Sequence, residues 1–194
     1  MRLVLASGSP RRSEILHLLG LEHDIRPPDV DELLSPGDEP GAQARRLAVE
    51  KASSTAGGAD DLILAADTLV VLGEEILGKP ADETDALRML MKLQGRQHEV
   101  HTGLALRLGN RIESDVAVTR VWFRPLDAAE CGEYVATSEP LDKAGAYGIQ
   151  GLGAVLVQRI EGEYFNVMGL PVQLLLSLLE RFGLRYAYGS LGER

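Results

Sequence analysis

The start of the chain constrains the fold more than any other stretch. Residues 2–6 form a short apolar run that predicts a buried strand, and residues 14–19 predict an amphipathic helix that ends at Gly20. Between them lies a loop of small residues, Ser7, Gly8 and Ser9. Pro10 is pre-shaped for the first helical position, which makes Ser9 the expected N-cap.

The first turn of this predicted helix carries two cations, Arg11 and Arg12. A cation at a helix N-terminus typically costs about 0.3–1 kcal/mol, because that end of the helix is already positive. Backbone N–H groups, hydroxyls and two guanidinium forks together suit phosphate oxygens. The pattern therefore indicates an anion site, and the alternative is a pair of solvated arginines on an ordinary surface helix.

Strands and helices alternate along the rest of the chain, which predicts an α/β fold. The predicted strands are residues 62–66, 69–72 and 154–157, together with a long hairpin over 98–123 that turns at Gly109-Asn110. The predicted helices are 82–93, 127–137 and 171–181, and Leu87, Leu90 and Met91 are the expected apolar face of the first. No linker divides the 194 residues, so we predict one domain with a loosely held tail after about residue 184.

Composition and net charge limit the kinds of ligand that the chain is expected to bind. The net charge is −9 and the pI is near 5.0, which disfavours sequence-independent binding of a nucleic acid duplex. A small polyanion remains a possible ligand if positive charges gather locally and a divalent metal neutralises part of its charge. The single cysteine, Cys131, excludes an internal disulfide and a cysteine-rich metal site and suits a reducing cytoplasm. No apolar run approaches the roughly 20 residues that span a bilayer, so no membrane association is expected.

The leading catalytic candidate is Asp67, which directly follows the apolar run of residues 62–66. The pattern places it where a buried strand ends, and ligands bind at strand ends in α/β sheets. A carboxylate there requires a partner such as a metal, a lysine or a water. Taken alone, Asp67 is better explained as a structural cap of a turn than as a catalytic group, and Lys51 and Lys79 are better explained as solvated surface lysines.

Two further segments are candidate binding loops. Asp31-Glu32 follows a proline-rich loop and could bring carboxylates to a cation, or be an ordinary polar loop. The glycine-rich segment, residues 145–153, would let backbone approach a ligand closely. It lacks the spacing of a dinucleotide fingerprint, and the chain contains no P-loop, no His-Glu-x-x-His zinc motif and no Gly-x-Ser-x-Gly elbow.

In combination, these pieces resemble the Maf family of nucleoside triphosphate pyrophosphatases over nearly the whole chain. The motifs that carry the resemblance, in order, are residues 5–12 (LASGSPRR), 50–52 (EKA), 66–68 (ADT), 78–80 (GKP), 142–153 (DKAGAYGIQGLG) and 169–171 (GLP). Each motif is weak by itself, but their order and combination are specific.

The resemblance implies an enzyme that splits a nucleoside triphosphate into the monophosphate and pyrophosphate with a divalent cation, Mg²⁺ or Mn²⁺. It implies an elongated mixed β-sheet flanked by helices, with two lobes around a cleft, as in Maf and ITPase-like proteins. It further implies a cytoplasmic homodimer that clears surplus or modified nucleotides, and a link to inhibition of septum formation.

The resemblance assigns family roles to individual residues of this chain. Asp67 matches the catalytic acidic position of the family, whose side chain is the proton acceptor, and would activate water directly or hold the metal. Glu32 matches the acidic loop position near that metal. The positions that match contacts to the phosphates are Ser7, Arg11, Arg12, Lys51 and Lys79. Their cations would stabilise the charge that moves onto the pyrophosphate leaving group.

Three positions indicate the branch within the family. The 7-methyl-GTP branch places an aromatic residue, Gln and Glu where this chain has Arg11, Thr68 and Gln150. The set found here resembles the dTTP/UTP branch, and a neutral amide such as Gln150 can both donate to and accept from the imide edge of a pyrimidine. We therefore expect dTTP and UTP as preferred substrates.

Two alternatives from other classes remain. A nucleotidyltransferase also opens with a strand, a small-residue loop and an arginine, but usually has a longer glycine-rich loop and a second sugar-binding domain. A non-catalytic nucleotide sensor in cell division could keep the phosphate-binding groups, although the presence of Asp67 argues against it.

Overall fold

A computed structural model describes residues 1–31, 33–35 and 37–193. The α-helices of this part are α1 (Pro10–Leu18), α2 (Pro40–Ser54), α3 (Glu83–Leu93), α4 (Ala128–Ala136), α5 (Tyr164–Met168) and α6 (Val172–Arg181). The strands are β1 (Arg2–Leu5), β2 (Asp24–Ile25), β3 (Asp61–Leu72), β4 (Glu75–Leu77), β5 (Gln97–Leu108), β6 (Arg111–Phe123), β7 (Val157–Glu161), β8 (Leu184–Tyr186) and β9 (Leu191–Glu193). Within the described ranges, no helix is both long and apolar enough to cross a bilayer.

The main sheet is mixed, which confirms the predicted α/β class. Its strand order is β2-β1-β3-β5-β6-β7, and β4 pairs with β3 outside this path. β1 runs parallel to β2 and β3, whereas β4 and β7 are antiparallel to their neighbours. The predicted hairpin is present as β5 and β6, joined at Gly109-Asn110. Residues beyond Leu184 form the short antiparallel pair β8–β9.

The chain divides into two compact units. Unit 1 contains Met1–Asp67, Thr102–Ala117 and Gly169–Arg194, of which Arg194 lies outside the described residues. In unit 1, small residues let α2 pack closely on the sheet, and the buried cluster is Val4, Ala6, Ala48, Ala52, Ile63, Ala65 and Ala105. Gly103 on β5 shows how close this packing is, because a Cβ there would collide with the backbone carbonyl of Ala44.

Unit 2 contains Thr68–His101 and Val118–Met168 and has its own larger core. α3 and α4 are each preceded by an N-cap aspartate whose side chain accepts a hydrogen bond from a backbone N–H. Asp82 accepts from Asp85, and Asp127 accepts from Glu130. The core also holds an aromatic group in edge-to-face contact, formed by His98, Phe123 and Tyr147.

Three predictions about local structure were wrong. The two runs 62–66 and 69–72 are one strand, β3, so Asp67 lies within a strand and not at its end. No glycine or proline interrupts β3, which ends just before Gly73, where φ is 64°. Residues 151–156, expected in part as a strand, form a 3₁₀ helix that starts at Gly151 with φ 69°.

The third error concerns the buried face of α3. The residues that face the core are Ala86, Met89, Leu90 and Leu93, while Leu87 is half-buried and Met91 is 39% exposed. The buried face of α3 therefore differs from the predicted one, because Ala86, Met89, Leu90 and Leu93 have the i, i+3, i+4, i+7 spacing of one helix face.

Candidate functional site

The loop between β1 and α1, residues 7–12, is held together by Arg12 and is called the arginine loop below. The Ser7 Oγ accepts hydrogen bonds from the Ser9 backbone N–H at 3.1 Å and from Arg12 Nη1 at 2.9 Å. Arg12 Nε donates to the carbonyl of Gly169 at 2.8 Å. Arg12 thus ties the loop to the segment that precedes α6, which fixes where the Ser7 hydroxyl lies.

The N-terminus of α1 differs from those of α3 and α4. Ser9 occupies the N-cap position as predicted, but its side chain makes no capping hydrogen bond. The first turn has no acidic residue and carries the half-buried Arg11 and Arg12. A helix end without a carboxylate and with two guanidinium groups suits an anion supplied from outside the chain.

A buried ion pair links α2 to β3. The Lys51 Nζ lies 2.5 Å from Asp67 Oδ1, and each side chain is 7% exposed. Asp67 continues the row of side chains that Ile63 and Ala65 begin on one face of β3, since alternate residues of a strand share a face. On α2, Lys51 lies beside Ala52 in the buried stripe, which brings its ammonium to that row.

This ion pair is unusual because both members are withdrawn from water. Taking a charge out of water costs several kcal/mol, and the attraction between partners offsets this cost only with good geometry. The short distance between Lys51 and Asp67 supplies that geometry. Such an arrangement is expensive as a purely structural device, which makes Lys51 and Asp67 candidates for a functional role.

Asp67 of the ion pair and the arginine loop both lie beyond the same end of the β1–β3 pairing. β1 and β3 run parallel with Leu5 opposite Leu64, and the Ala6 N–H donates to the Leu64 carbonyl. Ser7 follows Ala6 directly, and Asp67 lies three residues beyond Leu64 on β3. Unit 1 therefore combines a carboxylate, an ammonium, a hydroxyl and guanidinium groups in neighbouring segments.

Asp67 is also the residue available for a metal. Among the described residues, no group of three or more His, Cys, Asp or Glu side chains is placed to hold one. Mg²⁺, however, usually keeps several waters and is bound by one or two carboxylates together with substrate phosphates. Asp67 fits that mode, in which the nucleotide completes the coordination. Glu32, the other predicted ligand, lies outside the described residues.

The remaining predicted residues lie in unit 2. Thr68 is half-buried on β3, while Lys79 and Gln150 are exposed. The loops that carry Lys79 and Gln150 are connected, because the Gly145 N–H donates to the Gly78 carbonyl at 3.0 Å. Gly145 has φ 69°, and a Cβ there would collide with Val70 of β3. The glycine-rich segment thus lies against β3 and beside the Gly78-Lys79 turn.

Three contributors to the geometry of these loops were not predicted from the sequence. Gly169 belongs to the family motif 169–171, but the motif did not indicate that its carbonyl anchors Arg12. Glu139 and Tyr134 bind backbone groups of the glycine-rich segment, and nothing in their surrounding sequence marks them.

Comparison with known proteins identifies the family. The family model described as Maf-like protein matches residues 2–182. The chain belongs to the Maf family. The match includes the arginine loop, the Lys51–Asp67 pair, the Gly78-Lys79 turn and the glycine-rich segment of this Maf chain.

Similar Maf relatives cover almost the whole chain. A dTTP/UTP pyrophosphatase from Anaeromyxobacter sp. (strain Fw109-5) is 51% identical over 187 residues, which are 94% of this chain and 90% of that protein. A dTTP/UTP pyrophosphatase from Aquifex aeolicus (strain VF5) is 47% identical over 185 residues, 95% of this chain and 97% of that protein.

A solved structure supports the fold alone. The Staphylococcus aureus Ham1 protein aligns with a TM-score of 0.51 at 16% identity, over 94% of this chain and 100% of that one. This likeness agrees with the predicted ITPase-like architecture.

Proposed function

We propose that this Maf chain is a nucleoside triphosphate pyrophosphatase that hydrolyses dTTP and UTP to the monophosphate and pyrophosphate. Support comes from relatives at 47–51% identity that are named dTTP/UTP pyrophosphatases. The structural observation that carries the proposal is the buried Lys51–Asp67 pair, whose Asp67 lies three residues beyond the β1–β3 pairing that the arginine loop also follows.

Asp67 acts as the proton acceptor in the proposed reaction. A water oxygen forms a bond to the α-phosphorus, the bond between that phosphorus and the α,β-bridging oxygen breaks, and pyrophosphate leaves. The proton of the attacking water passes to the Asp67 carboxylate. Lys51 orients that carboxylate through its hydrogen bond and, as substrate binds, offers positive charge to the phosphates.

The arginine loop supplies the phosphate contacts on unit 1. The Ser7 hydroxyl and the Arg11 guanidinium bind phosphate oxygens, and Arg12 keeps the loop in place through Ser7 and Gly169. In the alternative role that the resemblance leaves open for Asp67, that carboxylate and Glu32 would hold the divalent cation, which would neutralise charge on the triphosphate and polarise its phosphorus–oxygen bonds. Lys79 is assigned to the triphosphate, and Thr68 and Gln150 to recognition of the base.

The test is product analysis over a panel of triphosphates. We expect rapid conversion of dTTP and UTP to monophosphate and pyrophosphate with Mg²⁺ or Mn²⁺, and little conversion in EDTA. Fast turnover of 7-methyl-GTP beside poor turnover of dTTP and UTP would contradict the proposed specificity. Formation of a nucleotide sugar when a sugar phosphate is added would instead assign the chain to the nucleotidyltransferases.

The proposal extends to biological setting. We place the enzyme in the cytoplasm as a homodimer that removes surplus pyrimidine triphosphates, including modified ones, with an effect on septum formation when overproduced. Sedimentation of the purified protein checks the dimer. Turnover of 5-methyl-UTP checks modified substrates, and cell length on overproduction of active and Asp67→Asn protein checks the septum effect.

A further inference from the structure

The Glu139 carboxylate accepts three hydrogen bonds from donors that lie outside the 3₁₀ helix to which Glu139 belongs. Its Oε2 accepts the Leu152 N–H at 2.9 Å, and its Oε1 accepts the Gly153 N–H at 3.0 Å and the Tyr134 hydroxyl at 2.8 Å. Two of these donors are consecutive backbone groups of the glycine-rich segment. One carboxylate therefore fixes the C-terminal half of that segment.

Tyr134 fixes the other half of the same segment. The Gly148 N–H donates to the Tyr134 hydroxyl at 3.1 Å, and that hydroxyl in turn donates to Glu139. The two glycines that follow are required by this packing. A Cβ at Gly151 would lie 2.7 Å from Glu139 Oε2, and one at Gly153 would collide with the Tyr134 hydroxyl. The side chains of Tyr134 and Glu139 thus contact residues 148–153 at both ends of this stretch.

Charge favours this arrangement. Burial raises the pKa of Glu139, but the Leu152 and Gly153 N–H groups and the Tyr134 hydroxyl outweigh it, so the net pKa lies below its usual value. Burial chiefly raises the pKa of Tyr134, with Glu139 adding to the effect, which keeps the phenol a donor. At neutral pH the hydrogen bonds therefore join a carboxylate to neutral donors, and such charge-assisted bonds are stronger than neutral ones.

The residue held between these anchors is Gln150. Gly148 and Leu152 are bound on either side of it, whereas Gln150 itself is exposed. We propose that Glu139 and Tyr134 are positioning residues for substrate selection, which hold residues 148–153 so that the Gln150 amide is presented to the pyrimidine. This inference rests on the proposed function, because it requires that Gln150 contacts the base. A pre-organised amide binds the base without first losing loop entropy.

The decisive variants alter the anchors without touching Gln150. Glu139→Gln replaces one carboxylate oxygen by an NH₂ group, which donates but does not accept hydrogen bonds. Only one acceptor oxygen then remains for the three donors. Tyr134→Phe removes a single hydroxyl and leaves the ring in the core. Glu133→Gln, an exposed carboxylate on α4, is the control with the same change of charge.

Steady-state kinetics and amide exchange give separate readouts. We expect Glu139→Gln to raise KM for UTP and dTTP about tenfold with less than a twofold change in kcat, and Tyr134→Phe to raise KM about threefold. Exchange of the Leu152 and Gly153 amides should accelerate at least tenfold in Glu139→Gln. Glu133→Gln should match the wild type in both measurements.

A double variant separates positioning from general damage. If Glu139 acts through Gln150, adding Glu139→Gln to Gln150→Ala should raise KM no further, which is strong non-additivity. Equal loss of kcat on every nucleotide with unchanged KM, or full additivity with Gln150→Ala, would overturn the inference. If Glu139→Gln does not fold, Tyr134→Phe carries the same comparison with Gln150→Ala.

The outcome for the proposed function is independent of these results. Failure of the wild-type protein to hydrolyse UTP and dTTP would reject the proposed function and, with it, the inference. Wild-type activity that depends on Gln150 but is indifferent to Glu139 and Tyr134 would reject the inference alone.

Discussion

Two carboxylates, Asp67 in unit 1 and Glu139 in unit 2, are stabilised in opposite ways. Asp67 is buried and receives a hydrogen bond from the ammonium of Lys51 on a separate helix. Glu139 is half-buried and receives its hydrogen bonds from two backbone N–H groups and a phenol. One carboxylate is matched by a charge and the other by neutral dipoles.

The difference follows from what each carboxylate has to do. A lysine is a mobile point charge that can offer its charge to an incoming phosphate while still orienting Asp67. Backbone N–H groups cannot leave without moving the chain, so Glu139 fixes a conformation. Under the proposed function, the carboxylate assigned to the reaction is paired with a charged group, whereas the carboxylate that binds backbone groups shapes a loop.

The largest expected effect is on catalysis by Asp67→Asn. The amide keeps the shape of the side chain but accepts no proton, so kcat for dTTP should fall about 10²–10⁴-fold, the usual contribution of a general base. Quenched-flow product assays measure the rate, and calorimetry measures retained dTTP binding. Glu14→Gln, on the exposed side of α1, is the control. Hydrolysis at the wild-type rate would remove Asp67 from the mechanism.

Lys51→Met should have the largest effect on stability. Removal of one partner from a buried ion pair leaves the other charge without compensation, which typically costs about 3–5 kcal/mol in the free energy of unfolding. Urea denaturation at pH 7 measures it. The double variant Lys51→Met/Asp67→Leu should regain most of that loss yet remain inactive. A stable single variant would show that Asp67 does not depend on Lys51.

A pH effect from His98 should come next in size, in the core of unit 2. Burial lowers the pKa of His98 to about 4, so the native state resists a proton that the unfolded chain takes up near pH 6.5. Stability is therefore full above about pH 6.5 and declines as the pH falls toward 4, by about 3 kcal/mol over that window.

The check is urea unfolding of the wild type and His98→Gln between pH 7 and pH 4.5. The His98→Gln protein should lose most of the slope while keeping a cooperative transition. Equal slopes in the two proteins would mean that other groups account for the acid sensitivity.

The smallest expected effect concerns Gly151. Its φ of 69° is left-handed, and an added Cβ would also displace Glu139 Oε2. Gly151→Ala should lower the free energy of unfolding by about 1–2 kcal/mol, mostly through this backbone conformation. Gly132→Ala is a matched control, because a Cβ there has open space within α4. Similar stability of the two variants would contradict the left-handed conformation of Gly151 as the cause of the loss.

Much of the fold could be predicted because its signals are local. Pro10 and Asp82 mark the starts of two helices, and Gly109-Asn110 marks the turn of the long hairpin. The extent of β3 could not be predicted from its sequence alone. Asp67-Thr68 is a typical strand ending by composition, and the ion pair of Asp67 with Lys51 of α2 joins distant residues that no local pattern reveals.

The family motifs predicted Ser7, Arg12, Lys51 and Asp67 as site residues, and their assignment to a site stays a prediction. The structure shows contacts between Ser7 and Arg12 and between Lys51 and Asp67. Glu139 carries no local signal, since its partners are set by how the chain folds back over it. Side chains that act on backbone groups leave little trace in a sequence pattern.

The most direct test of the account is a crystal structure with dTMP or UMP bound. We predict that the phosphate of the monophosphate contacts the Ser7 hydroxyl and lies beside the Lys51–Asp67 pair. A monophosphate bound away from Ser7 and from this pair would contradict the central claim that a buried, charge-matched carboxylate beside the arginine loop performs the hydrolysis.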